Sequence, residues 1–284
     1  MNTSDILSKL LKYGQAYLVY QLHLNQDQEL NTSDGAVLHC YMLRQAEQSA
    51  SKIKRTAQFD FPDIDSEFVP PARYDWEGFA RNRNRIMFHG NGMNYGDCIY
   101  AAKRFVMRRC NVLILSYRGY GDSEGTPSEK GLRLDAQAAI DHVKADPDLS
   151  QTPVILYGTS LGGAVAIDLT SRNPTRVSAL IVENTFESLP RVVRDWPVVG
   201  NFSFFCFQKW NSASKVPLIP ASTPILMLSG VQDEVVPKKH MDALWEIAQK
   251  RGGTNTVSKN DRFETFANGS HGMSIIFARP QCIC

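Results

Sequence analysis

The chain has 284 residues, of which 43% are hydrophobic and 21% charged, and its formal net charge is +2. This composition is ordinary for a soluble globular protein, and the length suffices for one large α/β domain. So small a charge does not single out nucleic acid, and we expect no nucleic-acid partner. The six cysteines lack the spacing of a metal site or a disulfide framework.

The N-terminal region is predicted to form an amphipathic helix followed by an antiparallel hairpin. Apolar residues within positions 1–18 share one helical face, but no apolar run there approaches the roughly 20 residues that span a bilayer. Alternating apolar residues predict a strand over 18–24. A turn at 33–35 then leads to a partner strand over Val37–Leu43.

Residues 44–84 are dominated by Gln, Ser, Lys and Asp and show no apolar period. A stretch of this length without secondary structure is unusual inside a compact domain. We therefore interpret it as an inserted, mobile surface loop and not as a domain.

Beyond residue 84, short apolar runs alternate with helical patterns. The predicted strands cover 85–89, 112–117, 154–157, 179–183, 225–229 and 262–266, and the predicted helices include 128–145 and 238–250. This alternation is typical of a mostly parallel, doubly wound sheet. Ligands bind at the carboxyl ends of the strands in such folds.

A G-x-S-x-G pattern lies between a predicted strand and a predicted helix. Gly158, Ser160 and Gly162 follow the apolar run 154–157 and precede the apolar, helix-spaced residues 164–169. In this context a serine occupies a sharp turn that exposes its hydroxyl above the sheet. The pattern predicts that Ser160 is a nucleophile, while a phosphate-binding turn is the simpler alternative.

A nucleophilic serine needs a base to accept its proton. His240 and His271 are the histidines that follow both Ser160 and the candidate acids. His240 falls in a predicted surface helix, where we expect an exposed polar residue. His271 follows the last predicted strand in a glycine-containing loop, and we predict that it is the base.

Two carboxylates could orient that base, because each follows a predicted strand. Asp233 lies in a turn braced by Val-Val-Pro, whereas Glu183 ends the strand after the elbow helix. The brace favours Asp233, but the residues alone leave Glu183 open.

The oxyanion should be bound by the N–H of Leu161, directly after the serine, and by an N–H of the loop after the strand that ends at His89. Asn91 is the predicted second donor and Gly92 the alternative, while His89 is expected to shape the loop. The glycine-rich stretch 119–125 lacks dinucleotide and Walker spacing, so we interpret it as a turn beside the site and expect no cofactor.

Separated motifs then suggest a family. The segments are FHGN at 88–91, YRGYGDS at 117–123, YGTSLGGAVA at 157–166, ENTF at 183–186 and LSGVQDEVVP at 228–237. Together they resemble the Bem-type (bud-emergence-suppressor) α/β-hydrolases, a family that includes the animal group called alpha/beta hydrolase domain-containing protein thirteen.

The resemblance implies an α/β-hydrolase fold and a serine hydrolase whose triad is Ser160, Asp233 and His271, which favours Asp233 over Glu183. Relatives are associated with membranes and with protein depalmitoylation, so a lipidated protein is an expected substrate. Three features depart from the family pattern: no N-terminal membrane anchor is recognisable, the 44–84 insertion is atypical, and the helix expected after the histidine loop is not recognisable before the chain ends at Cys284.

We therefore expect a single α/β-hydrolase domain over 1–284 with a small cap-like insertion over 186–216. The expected activity is cleavage of acyl esters or thioesters through an acyl-enzyme. A peptidase or amidase on the same triad is the alternative, and a non-catalytic, membrane-associated scaffold with a shortened C-terminus is a third possibility. A cytoplasmic or peripheral-membrane location is expected, and nothing indicates the oligomeric state.

Overall fold

The computed structural model describes residues 27–44, 83–106, 110–196, 206–252 and 260–271. The predicted N-terminal helix, the strand predicted over 18–24 and nearly all of the 44–84 loop lie outside the described residues. So do part of the cap-like segment, residues 197–205, and the tail after His271.

The described residues form a mixed sheet. Its strands are β1 (Asp27–Asn31), β2 (Val37–Leu43), β3 (Arg83–Phe88), β4 (Cys110–Leu115), β5 (Val154–Thr159), β6 (Ala179–Glu183), β7 (Ile225–Gly230) and β8 (Arg262–Phe266). Their spatial order is β1-β2-β4-β3-β5-β6-β7-β8. The pairs β1–β2 and β2–β4 are antiparallel and the others are parallel. The predicted α/β class with an N-terminal antiparallel hairpin is therefore confirmed.

The partner of β2 in that hairpin is a strand that the pattern did not predict. Asp27–Asn31 pairs with Val37–Leu43 through the expected turn at 33–35. Its sequence, DQELN, is polar because β1 is an edge strand, and Leu30 is its buried apolar residue. Alternation of apolar residues identifies a strand by its buried face. A strand with a single core residue shows almost no such alternation.

Helices cover both faces of the sheet. They are α1 (Ile99–Val106), α2 (Glu129–Ala145), α3 (Leu161–Arg172), α4 (Leu189–Asp195), α5 (Ser212–Lys215) and α6 (Lys239–Gln249). Side chains of α1 share one core with Ile155 and Tyr157, while side chains of α2, α3 and α6 share the other with Val154 and Leu156. Because successive residues of β5 point to opposite faces of the sheet, this strand is buried between two apolar layers.

The cap-like segment divides its aromatic residues between the core and the surface. Trp210 is only 4% exposed and belongs to the core shared by α2, α3 and α6, whereas Phe207 is 88% exposed and Trp196 is 39% exposed. The ring of Trp210 therefore packs in the main core and does not belong to the surface of this segment.

Within the described residues, no helix combines the length and the apolar character needed to cross a bilayer.

Candidate active site

Ser160 sits at a strained turn between β5 and α3. Its backbone has φ 53° and ψ −120°, a conformation that side-chain-bearing residues rarely adopt. A Cβ added to Gly158 would lie 2.1 Å from the carbonyl oxygen of Gly162, and one added to Gly162 would lie 2.1 Å from that of Phe88. The glycines of the pattern are thus required because the strand and helix backbones nearly touch.

The main chain on either side of Ser160 is held by the end of β6. The Ser160 N–H donates to the Glu183 carbonyl over 2.9 Å, and the Thr185 hydroxyl donates to the Ser160 carbonyl over 2.8 Å. Strained backbone persists where its surroundings fix it from several sides. These contacts supply that restraint at the turn.

The structure brings Asp233 and His271 into contact. Nδ1 of His271 lies 2.8 Å from Oδ2 of Asp233, and the other carboxylate oxygen accepts the N–H groups of Val235 and Val236 at 2.9 and 2.7 Å. A carboxylate only accepts hydrogen bonds, so the proton of the imidazole is on Nδ1. The lone pair of Nε2 is then available to accept a proton.

Ser160 follows β5 and His271 follows β8, at the same carboxyl edge of the sheet, with β6 and β7 between these two strands. Among the described residues, no hydrogen bond joins the Ser160 hydroxyl to the imidazole. Catalytic hydrogen bonds are often long in substrate-free structures and shorten in the substrate complex. The histidine loop is held against the Asp233 loop, because the Gln232 N–H donates to the Gly269 carbonyl over 2.9 Å.

Glu183, the other carboxylate that the sequence left open, is used differently. Its side chain is fully buried and accepts a hydrogen bond from the Tyr157 hydroxyl. Burial, reinforced by the charge of this carboxylate, raises the pKa of Tyr157 well above its usual value, so the phenol stays protonated and donates. The carboxylate that His271 contacts is that of Asp233.

Both predicted oxyanion donors lie at the elbow with their N–H groups unused. Leu161 is the first residue of α3, so no carbonyl of the preceding turn accepts its N–H. Neither this N–H nor that of Asn91 donates to another group in the described part of the chain. A Cβ on Gly90 would lie 3.5 Å from the Cβ of Ser160, which places the Asn91 loop directly against the serine.

His89 shapes this loop, as predicted from the sequence. Nδ1 lies 2.8 Å from the Gly90 carbonyl, while Nε2 accepts the Tyr117 N–H over 3.3 Å. This arrangement requires a neutral ring, and burial lowers the pKa of His89 to about 4 although the bond to Gly90 opposes the shift. Tyr120 packs edge-on against the ring and donates from its hydroxyl to Oδ1 of Asn91 over 2.6 Å.

The glycine-rich stretch 119–125 is a structural turn beside the site. Arg118 lies between Asp34 and Asp135, at 2.8 and 2.7 Å, and thereby joins the β1–β2 hairpin to α2. The hydrogen bond to Asp34 leads the effects that raise the pKa of Arg118, so the guanidinium is permanently charged. These bonds hold the loop on which Tyr120 is carried.

Comparisons with known proteins agree with this architecture. Residues 81–213 match the Hydrolase_4 family model, described as "Serine aminopeptidase, S33". Protein bem46 of Schizosaccharomyces pombe is 39% identical over 189 residues, which is 66% of this chain and 60% of that protein. WAV2 of Arabidopsis thaliana, an alpha/beta hydrolase domain-containing protein, is 36% identical over 206 residues, covering 68% of this chain and 64% of its own. The chain is thus similar to the Bem46-type α/β-hydrolases.

The esterase Pf2001 of Pyrococcus furiosus has the same fold as this chain. Its TM-score is 0.64 at 15% identity, over 91% of this chain and 89% of the esterase. In contrast, the chain spans somewhat under two thirds of the length of the two curated relatives, 60% and 64%.

One prediction about this chain was wrong. His240 is not exposed on a surface helix; it is 1% exposed, with Nε2 lying 2.8 Å from Oδ2 of Asp195 and Nδ1 lying 3.5 Å from Oε1 of Glu187. The imidazole joins α6 to the cap-like segment. It is buried where it contacts Asp195 and Glu187, and the local helical pattern could not reveal these contacts.

The sequence analysis also missed the side chain of Asn184. It lies between the serine elbow and the histidine loop, and its sequence signal was its place in the ENTF segment directly after a strand.

In the parts of the chain that the structure describes, no cluster of three or more His, Cys, Asp or Glu residues has the geometry of a metal site.

Proposed function

We propose that this chain is a serine hydrolase that cleaves carboxylic esters or acyl thioesters, with Ser160 as nucleophile, His271 as base and Asp233 as the orienting acid. The contact between Nδ1 of His271 and Oδ2 of Asp233 carries the proposal, because it fixes the tautomer in which Nε2 can accept a proton. The strained turn at Ser160 supplies the hydroxyl to which that proton belongs.

The reaction follows from these groups. Nε2 of His271 takes the hydroxyl proton as the Ser160 oxygen attacks the acyl carbonyl, and Asp233 stabilises the imidazolium that forms. The N–H groups of Leu161 and Asn91 donate to the oxyanion. The imidazolium then gives its proton to the leaving alcohol or thiol. Water, deprotonated by the same imidazole, hydrolyses the acyl-enzyme and frees Ser160.

An acyl thioester on a lipidated protein is the substrate that the family resemblance favours. A peptide or amide is the second candidate, since the matching family model is described as a serine aminopeptidase. Triad geometry does not separate the two classes, because both pass through a tetrahedral oxyanion. Comparing kcat/KM for matched nitrophenyl esters, acyl thioesters and aminoacyl amides distinguishes them, and we expect the amides to be the slowest.

The decisive experiment is labelling with a fluorophosphonate, which reacts with activated serines. We expect stoichiometric labelling of the wild type and none of Ser160→Ala, with ester turnover lowered by several orders of magnitude in that variant. Ser171→Ala is the matched control, because this serine lies near the other end of α3 and its hydroxyl donates to the Asp168 carbonyl. Equal labelling of the wild type and Ser160→Ala would exclude Ser160 as the nucleophile.

A further inference from the structure

The side chain of Asn184 occupies the junction between the parts of the candidate site. It follows β6 directly and is 1% exposed. Its backbone has φ 45°, in the left-handed region that asparagine tolerates better than most other non-glycine residues. This conformation turns the chain sharply at the catalytic edge of the sheet.

Both ends of the Asn184 carboxamide are used. Oδ1 accepts the N–H of Gly230, at the end of β7, over 2.8 Å. Nδ2 donates to the carbonyl of Ser270, the residue before His271, over 3.0 Å. A single side chain thus joins the start of the Asp233 loop to the histidine loop.

The neighbours of Asn184 hold the third part of the site. The Glu183 carbonyl accepts the Ser160 N–H, and the Thr185 hydroxyl donates to the Ser160 carbonyl. Residues 183–185 therefore contact the serine turn through their first and last members. Their middle member contacts the histidine loop.

We propose that Asn184 is a positioning residue that sets the imidazole of His271 relative to the Ser160 hydroxyl. The bond to Asp233 holds the imidazole only at Nδ1. A second contact is needed to fix the distance between the histidine loop and the turn at Ser160. The close packing of Gly230 on Gly269 sets how near the loop comes, and the Nδ2 bond ties it toward β6. The inference rests on the proposed function, since it concerns the same base.

Two variants separate the hydrogen bond from other effects. Asn184→Asp keeps the shape, the left-handed backbone and the acceptor for Gly230, but it replaces the donor to Ser270 with an oxygen that faces a carbonyl. Asn184→Gly also permits the backbone and removes the amide without adding charge. Gln151→Glu is the control, because it converts an amide to a carboxylate at an exposed position before the amino end of β5.

We expect both Asn184 variants to react with the fluorophosphonate about 100-fold more slowly, since a displacement of about 1 Å can reduce a rate by that factor. The kcat for ester hydrolysis should fall with KM nearly unchanged, because the substitutions alter none of the groups proposed to contact the substrate. The downfield proton resonance of the hydrogen-bonded Nδ1 of His271 should shift or broaden. Gln151→Glu should match the wild type in all three measurements.

A wild-type labelling rate in either folded Asn184 variant would overturn the inference. If Asn184→Asp does not fold, as judged by thermal unfolding, Asn184→Gly decides alone. Failure of the proposed function has a different signature, because the wild type itself would then not be labelled. In that case the His271 resonance decides whether Asn184 positions the ring, and an unchanged resonance in the variants refutes it.

Discussion

Asp233 uses its two carboxylate oxygens for two different tasks. Oδ1 accepts the N–H groups of Val235 and Val236, and Oδ2 lies 2.8 Å from Nδ1 of His271. The first oxygen fixes the carboxylate on its own loop, so the second points in one direction. The Val-Val-Pro sequence that braces Asp233 supplies these amides from its two valines.

Asp233→Asn should retain the loop and lose the reaction. The amide oxygen can still accept the valine N–H groups, but its NH₂ then faces Nδ1 and favours the tautomer that leaves Nε2 protonated. We expect kcat for ester hydrolysis to fall by about 10³–10⁴-fold, with an unchanged thermal midpoint. Glu234→Gln is the matched control, since Glu234 is adjacent and exposed. Comparable losses in the two variants would contradict the assignment.

Gly162→Ala should prevent the elbow from forming. Its Cβ would lie 2.1 Å from the Phe88 carbonyl oxygen, and neither backbone can move without opening the β3–β5 core. We expect a loss of at least about 3 kcal/mol in the free energy of unfolding, measured by urea titration. Gly35→Ala provides the comparison, because Gly35 has φ 85° but no atom within 4 Å of the added Cβ. Strain alone should cost about 1 kcal/mol there, and equal losses would argue against a steric cause at Gly162.

The stability of the protein should depend on pH through His89. Burial lowers the pKa of His89 from 6.5 to about 4 in the folded chain, so between these values the unfolded chain binds more protons. The contribution is present above pH 6.5 and is lost as the pH falls toward 4, by up to about 3 kcal/mol. Urea titrations of the wild type and His89→Gln should give a difference that shrinks over this interval. A difference that is constant with pH would show that His89 does not titrate in this way.

Tyr120→Phe tests the loop that carries Asn91. The substitution removes the hydroxyl that donates to Oδ1 of Asn91 but keeps the ring against His89. We expect kcat to fall by about threefold to tenfold, because one neutral hydrogen bond contributes about 1 kcal/mol to holding the loop. The rate of fluorophosphonate labelling and the thermal midpoint are measured together. A lowered midpoint with an unchanged labelling rate would assign Tyr120 to stability alone.

Much of the sheet could be predicted because its central strands are buried on both faces. The bounds of β6 and β8 agree with the prediction, and β4, β5 and β7 differ from it by a few residues at their ends. The placement of Asp233 and His271 at one edge of the sheet was also predictable, since the carboxyl ends of parallel strands meet there and both residues follow strands. The preference for Asp233 over Glu183 came from the family resemblance.

The missed features depend on contacts between distant segments. His240 has the local pattern of a surface helix, but Asp195 and Glu187 approach it from the cap-like segment and bury it. Asn184 gains its role from a left-handed backbone and from two loops that are far away in sequence. Hydrophobic periodicity describes one element against the core, and it contains no information about polar contacts among loops.

The position of the candidate base has a further consequence. His271 follows β8, the last strand of the described sheet, and no residue of β8 is buried, whereas every residue of β5 is buried. Edge strands fray at a smaller free energy than central ones. At low urea concentrations β8 should therefore unfold locally and move His271 away, while β5 and Ser160 remain folded in the core. Catalysis should then vanish, reversibly, at a urea concentration below that at which circular dichroism detects melting.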